Sequence, residues 1–147
     1  MMIDRDLVIT YANPATITLL SDNIQDLRRA YPGLDPAALV GTCIDIFHKN
    51  PAHQRQLLAD PNNLPFSAEI KVGPLEFSLM VSAIYDSSGE YIGSTLEWSD
   101  ITQQKRGERE IATLISAASA GDLSERFDSS AYSGFMEGLG DGINQLL

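Results

Sequence analysis

Residues 66–100 read FSAEIKVGPLEFSLMVSAIYDSSGEYIGSTLEWSD, and this stretch decides the fold of the chain. Apolar and polar residues alternate in three successive runs, which is typical of half-buried β-strands. Gly73-Pro74 separates the first two runs and residues 86–89 (Asp-Ser-Ser-Gly) separate the last two, and both favour turns. The residues predicted to face inward are Phe66, Ala68, Ile70, Val72, Phe77, Leu79, Val81, Ala83, Tyr85, Ile92, Ser94, Leu96 and Trp98. Three hairpin-linked strands of this kind form an antiparallel sheet with one covered face.

Before this stretch, the sequence predicts a short hairpin and then short helices. The β-branched run at 7–11 ends at Asn13-Pro14, and residues 1–3 can pair with it across a turn. Helical segments are predicted at 14–20, 22–31, 35–41 and 52–59, each bounded by Pro, Gly or Asn. Two strands, several helices and three further strands give an α+β domain that ends near Asp100.

Composition limits the classes of protein that this chain can belong to. With 147 residues, of which 44% are hydrophobic, it can build one compact core and an appended segment. The net charge of -10 argues against nucleic-acid binding, since a basic surface is missing. The single cysteine, Cys43, excludes an internal disulfide and favours a reducing, cytoplasmic setting. No apolar run approaches the roughly 20 residues of a membrane span, and the N-terminus lacks a signal-peptide layout.

The chain opens abruptly, with the apolar residues Met1-Met2-Ile3 directly before the turn signal at residues 4–6. We therefore expect it to be a piece of a longer protein.

Both histidines fall in residues 44–55, IDIFHKNPAHQR, five positions apart. A helical chelate requires imidazoles at i and i+4, so a spacing of five does not place these rings on one face. Asn50-Pro51 predicts a helix start, which leaves His48 before the helix and His53 in its first turn. His48 follows an apolar run that can wall a cavity, so it is the better ligand candidate, whereas His53 reads as structural.

From residue 101 the apolar pattern becomes helical. Asp100 and Gln103 suggest a capping box. Apolar stripes follow at Ile111, Leu114 or Ile115, Ala118, Phe135, Leu139, Ile143 and Leu146, with glycines at 134, 138, 140 and 142. Each stripe is too narrow to bury itself alone, so a parallel homodimer of two-helix units is expected.

These residues together resemble a known family. The strand order and the closing tripeptide Asp100-Ile101-Thr102 resemble a PAS sensor domain over about residues 1–102. This resemblance implies a five-stranded antiparallel sheet flanked by short helices. Residues 41–55 are similar to the haem-binding PAS domains of soluble bacterial oxygen-sensing chemoreceptors. The resemblance implies that His48 ligates the iron of haem b, and that Leu79 and Trp98 lie on the distal side, where the gas binds. In such sensors that gas is oxygen.

Residues 103–147 resemble a HAMP-type signalling segment, in which two amphipathic helices flank a looped connector that begins at Gly121-Asp122-Leu123. The resemblance implies a downstream chemoreceptor signalling domain and a chemotaxis kinase complex as partners of the full-length protein.

Other functions have less support in the sequence. No hydrolase, P-loop or zinc-protease motif is present, so we do not expect an enzyme. A flavin photoreceptor would use a PAS cysteine, but its Asn-Cys-Arg-Phe-Leu-Gln signature is absent around Cys43. The main alternative to a haem sensor is a haem-free PAS module that mediates dimerisation and signal relay.

Overall fold

The computed structural model of the protein describes residues 1–146. They form two compact units, which divide between Asp100 and Ile101. None of the helices within residues 1–146 is long and apolar enough to cross a bilayer.

The first unit is an α+β domain built on one five-stranded sheet. Every neighbouring pair of strands is antiparallel, and the strand order is β2-β1-β5-β4-β3. The strands are β1 Met2–Asp4, β2 Ile9–Tyr11, β3 Phe66–Val72, β4 Leu75–Tyr85 and β5 Tyr91–Asp100. The helices are α1 Pro14–Asp22, α2 Ile24–Ala30 and α3 Pro51–Ala59, with 3₁₀ turns at Pro36–Ala38, Ile44–Phe47 and Pro61–Asn63. The predicted α+β architecture is confirmed.

Two tight turns set the register of the long strands. Gly73 adopts a φ of 58° between β3 and β4, and Gly89 adopts a φ of 85° between β4 and β5. Side chains with a Cβ rarely adopt such angles, so glycine favours both turns. The Asp86 carboxylate accepts hydrogen bonds from the backbone N–H groups of Ser88 and Glu90, at 2.8 and 3.0 Å, which closes the second turn.

The prediction that Ile92 faces inward is wrong. Tyr85 pairs with Tyr91, whereas Ile84 pairs with Gly93, so β5 carries one extra residue at this point. Ile92 is that residue, and it is 47% exposed. A bulge of this kind shifts the alternation of faces, which a period-two reading of the sequence does not detect.

The core lies between the sheet and the helices. Its most deeply buried side chains are Phe77, Ile9, Leu20, Leu27 and Leu34, all with less than 2% exposure. Asn13 caps α1 by accepting a hydrogen bond from the Thr16 backbone N–H at 2.9 Å.

The second unit contains α4 (Thr102–Ser119), a 3₁₀ turn (Ser129–Ala131) and α5 (Phe135–Leu146). The N-cap position of α4 falls on Ile101, one residue after the predicted Asp100, and the Ile101 side chain cannot accept a hydrogen bond. Gly134 was expected to lie within the last helix. It instead precedes α5, with a φ of 62°.

Phe127 holds the connector of the second unit in place. Its side chain is 3% exposed and stacks on Tyr132 with ring centroids 4.9 Å apart. The side-chain amide of Asn144 donates to the Phe127 carbonyl and accepts from the Phe127 backbone N–H, both at 2.8 Å. Phe127 also packs against the α-carbon of Gly140, where a side chain would collide with the ring.

Candidate functional site

A largely apolar cavity of about 200 Å³ lies in the first unit, between the sheet and the segment that leads into α3. Strands β3, β4 and β5 form one side of it. The other side comes from α3, the end of α2 and the 3₁₀ turn before His48. The lining residues are Tyr31, Ile44, Phe47, His48, Gln54, Leu57, Leu58, Phe66, Ala68, Ile70, Leu79, Val81, Leu96 and Trp98.

His48 lies on the wall of this cavity with one ring nitrogen already engaged. It caps the 3₁₀ turn Ile44–Phe47, and its backbone N–H donates to the Asp45 carbonyl at 3.0 Å. Its ring Nδ1 lies 3.0 Å from the Ile44 carbonyl oxygen. A carbonyl oxygen can only accept, so Nδ1 carries a proton, and in the neutral imidazole Nε2 is then the nitrogen with the lone pair. Metal-binding histidines commonly donate their other ring N–H to a carbonyl in this way.

His53 is placed differently. It is the third residue of α3, it is exposed, and it is not among the residues that line the cavity. The two histidines therefore do not share a site.

Trp98 and Leu79 both line the cavity, on neighbouring strands. The Trp98 ring contacts Phe47 and Phe77, with centroid separations of 5.6 Å in each case. Its indole Nε1 is buried and has no hydrogen-bond partner within the described residues. A buried donor without a partner carries a desolvation cost of roughly 1–3 kcal/mol, so a ligand that accepts from it would be favoured.

Two further polar residues line the cavity, and neither was predicted from the sequence. Burial raises the pKa of the Tyr31 phenol above its usual value. The Gln54 Oε1 is buried and has no hydrogen-bond partner among residues 1–146. Gln54, Leu57 and Leu58 follow the i, i+3, i+4 spacing of one helix face, and that spacing was a signal for Gln54.

The donor set suits a cofactor that brings most of its own metal ligands. Nowhere in the described part of the chain do three or more His, Cys, Asp or Glu side chains come together to hold a metal ion. The cavity wall instead includes one imidazole whose Nδ1 is bound to a carbonyl, apolar side chains, and one buried indole N–H without a partner within residues 1–146. Haem iron needs only such a single protein ligand on one side, in an apolar pocket.

A five-stranded antiparallel sheet of this order, with short helices around a cavity, defines a PAS sensor domain. A solved structure of the Aer2 receptor from Vibrio cholerae, described as a dual PAS-haem oxygen sensor, is 51% identical and aligns with a TM-score of 0.65. The alignment covers 69% of this chain and 91% of that one. The methyl-accepting chemotaxis protein McpB of Pseudomonas aeruginosa is 39% identical over all 147 residues. No protein-family model matches the chain.

The chain belongs to the PAS sensor family of aerotaxis-type transducers. It spans 22% of the length of the chemotaxis protein that it matches. It is a sensor domain of a chemotaxis-type signal transducer, and both relatives are receptors.

Proposed function

We propose that the first unit is a haem-based oxygen sensor, in which His48 Nε2 ligates the iron of haem b. The observation that carries this proposal is the state of the His48 ring, whose Nδ1 is bound to the Ile44 carbonyl while the residue lies on the cavity wall. The likeness to the Aer2 PAS-haem structure supports it further. When bound, haem supplies an iron that takes up a diatomic gas reversibly.

The role of Trp98 in this proposal is to donate a hydrogen bond from Nε1 to the gas, while Leu79 limits the space beside it. The buried Nε1–H has no partner within residues 1–146, so a gas with acceptor character satisfies it. Leu79, on the adjacent strand, offers only apolar surface. Discrimination between gases then depends on which of them accepts a hydrogen bond.

The signal leaves the domain through β5 in this proposal. Trp98 is the third-last residue of β5, which ends at Asp100, and α4 begins at Thr102. A change in the Trp98 ring therefore acts on a strand that continues into a helix after one residue. Residues 103–147 serve as a HAMP-like segment that relays the change to a downstream chemoreceptor signalling domain and its kinase complex.

The relay requires a homodimer. The helices of the second unit leave apolar side chains exposed, namely 56% of Ile115, 80% of Phe135 and 87% of Leu146. A second copy of the same unit would bury them in a parallel bundle. The same observation supports the second candidate function, a haem-free PAS module whose role is dimerisation and relay.

Colour separates the two candidates. The chain is produced with a haem precursor, purified, and also reconstituted with haemin in vitro. We expect a red protein with an intense Soret band, close to one haem per chain, and a spectrum that changes when the reduced protein meets oxygen. A protein that stays colourless after both treatments would contradict the haem proposal and leave the relay module. A yellow protein would indicate a flavin.

A further inference from the structure

An ion pair joins the two segments on either side of His48. Arg55, on α3, donates from Nε to Asp45 Oδ2 at 3.2 Å, and its Nη2 makes a second, shorter contact with the same oxygen. Asp45 lies on the 3₁₀ turn before His48, so the pair closes the loop that carries the histidine. Arg55 Nη2 also lies 3.7 Å from Cys43 Sγ, at the start of the same turn.

Asp45 contacts His48 directly through its backbone. The Asp45 carbonyl accepts the His48 backbone N–H at 3.0 Å, one residue beyond the Ile44 carbonyl that binds the His48 ring. The position of these two neighbouring carbonyls therefore fixes both the backbone and the imidazole of His48. The other end of the turn is held by the Ile44 N–H, which donates to the Leu7 carbonyl at 3.0 Å.

We infer that Asp45 and Arg55 are positioning residues that orient His48 toward the cavity. This inference rests on the proposed function, since it assigns the pair to the histidine that would hold haem. The paired side chains are partly exposed, Arg55 to 51% and Asp45 to 28%, and exposed pairs add little to global stability. We therefore expect the pair to affect the geometry of the turn that it closes, with little effect on the stability of the domain.

A matched control exists in the same chain. Arg29 and Asp26 form an exposed ion pair at 3.0 Å on α2, with side-chain exposures of 79% and 31%. Neither residue lines the cavity. Arg29→Gln and Arg55→Gln each remove one partly exposed ion pair, but only the Arg55 pair lies next to the turn that carries His48.

The first measurement uses the haem-free chain. Amide hydrogen exchange at His48 reports whether its N–H remains bound to the Asp45 carbonyl. We expect Arg55→Gln and Asp45→Asn to speed exchange at His48 several-fold, while Arg29→Gln leaves it unchanged. Arg55→Lys, which keeps the charge, should restore part of the protection.

The second measurement uses the haem-loaded chain, from which haem is transferred to an excess of a haem-scavenging globin. Loss of groups that orient a metal-binding histidine lowers metal affinity by about 10–100-fold, and an indirect partner belongs at the lower end. We therefore expect roughly tenfold faster haem loss from Arg55→Gln than from Arg29→Gln.

The outcomes separate this inference from the proposed function. If the unaltered chain binds haem, and Arg55→Gln matches Arg29→Gln in both measurements, the positioning role is wrong and the haem proposal stands. If the unaltered chain binds no haem, the haem proposal fails, and exchange at His48 alone decides whether the pair orients that histidine.

Discussion

Leu79 lies directly opposite Trp98 in the antiparallel pairing of β4 with β5. Directly opposed side chains on neighbouring strands lie on the same face of the sheet and contact one another. One residue supplies apolar surface and the other supplies a buried N–H group without a partner, so the two form a small wall with a single polar atom. Substitution of Trp98 should therefore affect a bound ligand differently from substitution of Leu79.

Trp98→Phe removes the donor but keeps an aromatic ring. A neutral hydrogen bond contributes about 0.5–1.5 kcal/mol, which corresponds to roughly 2- to 12-fold in an equilibrium or rate constant. We expect oxygen to dissociate faster from the haem-loaded variant by about that factor, whereas carbon monoxide, a weaker acceptor, should be less affected. Stopped-flow spectroscopy measures both rates. Leu79→Val serves as the control, and equal acceleration for both gases in Trp98→Phe would point to packing instead of a hydrogen bond.

Substitution of each histidine by alanine distinguishes their roles. In His48→Ala the imidazole on the cavity wall is missing, so we expect the visible spectrum of reconstituted protein to lose the features of histidine ligation. In His53→Ala the cavity is untouched, because His53 is exposed on α3, and we expect the spectrum of the unaltered chain. Normal ligation in His48→Ala would show that the axial ligand is a different residue.

Phe77 and Leu79, which are two residues apart on β4, should differ in their contribution to the free energy of unfolding. Phe77 is fully buried, so Phe77→Ala should lower the free energy of unfolding by about 3–5 kcal/mol. Leu79 is half-buried and already faces a cavity, so Leu79→Ala should cost less, about 1–2 kcal/mol. Urea unfolding, followed by the fluorescence of the single tryptophan, gives both values. Equal losses would mean that Leu79 packs as tightly as the core.

The glycines of α5 provide an internally controlled test of the second unit. An alanine at Gly138 meets no atom within 4 Å, so Gly138→Ala should raise the free energy of unfolding of this unit by about 1 kcal/mol. An alanine at Gly140 collides with the Phe127 ring, so Gly140→Ala should destabilise the same unit despite its better helix propensity. Thermal unfolding followed by circular dichroism measures the difference, which should be opposite in sign for the two variants.

Dimerisation through the second unit can be tested by measuring the distance between spin labels on two copies of the chain. Ser116 is exposed on α4, one residue after Ile115, and it accepts a spin label once it is replaced by cysteine and Cys43 by serine. We expect a defined distance between the two labels that shifts when the haem-loaded protein binds gas.

Phe135→Ser should weaken the dimer in sedimentation experiments, because it removes an 80% exposed apolar side chain. A monomer at every concentration would remove the basis for the relay.

The sequence predicted secondary structure best where the alternation of apolar and polar residues continued without interruption. Alternation from Phe66 to Val72 and from Leu75 to Tyr85 predicted β3 and β4, because one face of each strand is, over most of its length, less exposed than the other. The extra residue at Ile92 and the N-cap at Ile101 escaped prediction, since a bulge and a cap depend on pairing and backbone angles rather than on composition.

Part of the candidate site could also be predicted. Asn50-Pro51 correctly placed His48 before α3 and His53 within it. The Asp45–Arg55 pair could not be predicted in the same way, because residues ten apart meet only when the turn and the helix have folded against each other.

The position of β1 has a consequence for how the domain folds. Residues 2–4 pair with residues 93–95 of β5, so the second and third strands across the sheet come from opposite ends of the first unit. Contacts of such long sequence separation slow folding, because a long loop must close before they form. The hairpins of β3, β4 and β5 can assemble early, but β1 and β2 must be added to the finished edge of β5. During synthesis, β1 and β2 therefore have to wait until nearly the whole domain has left the ribosome.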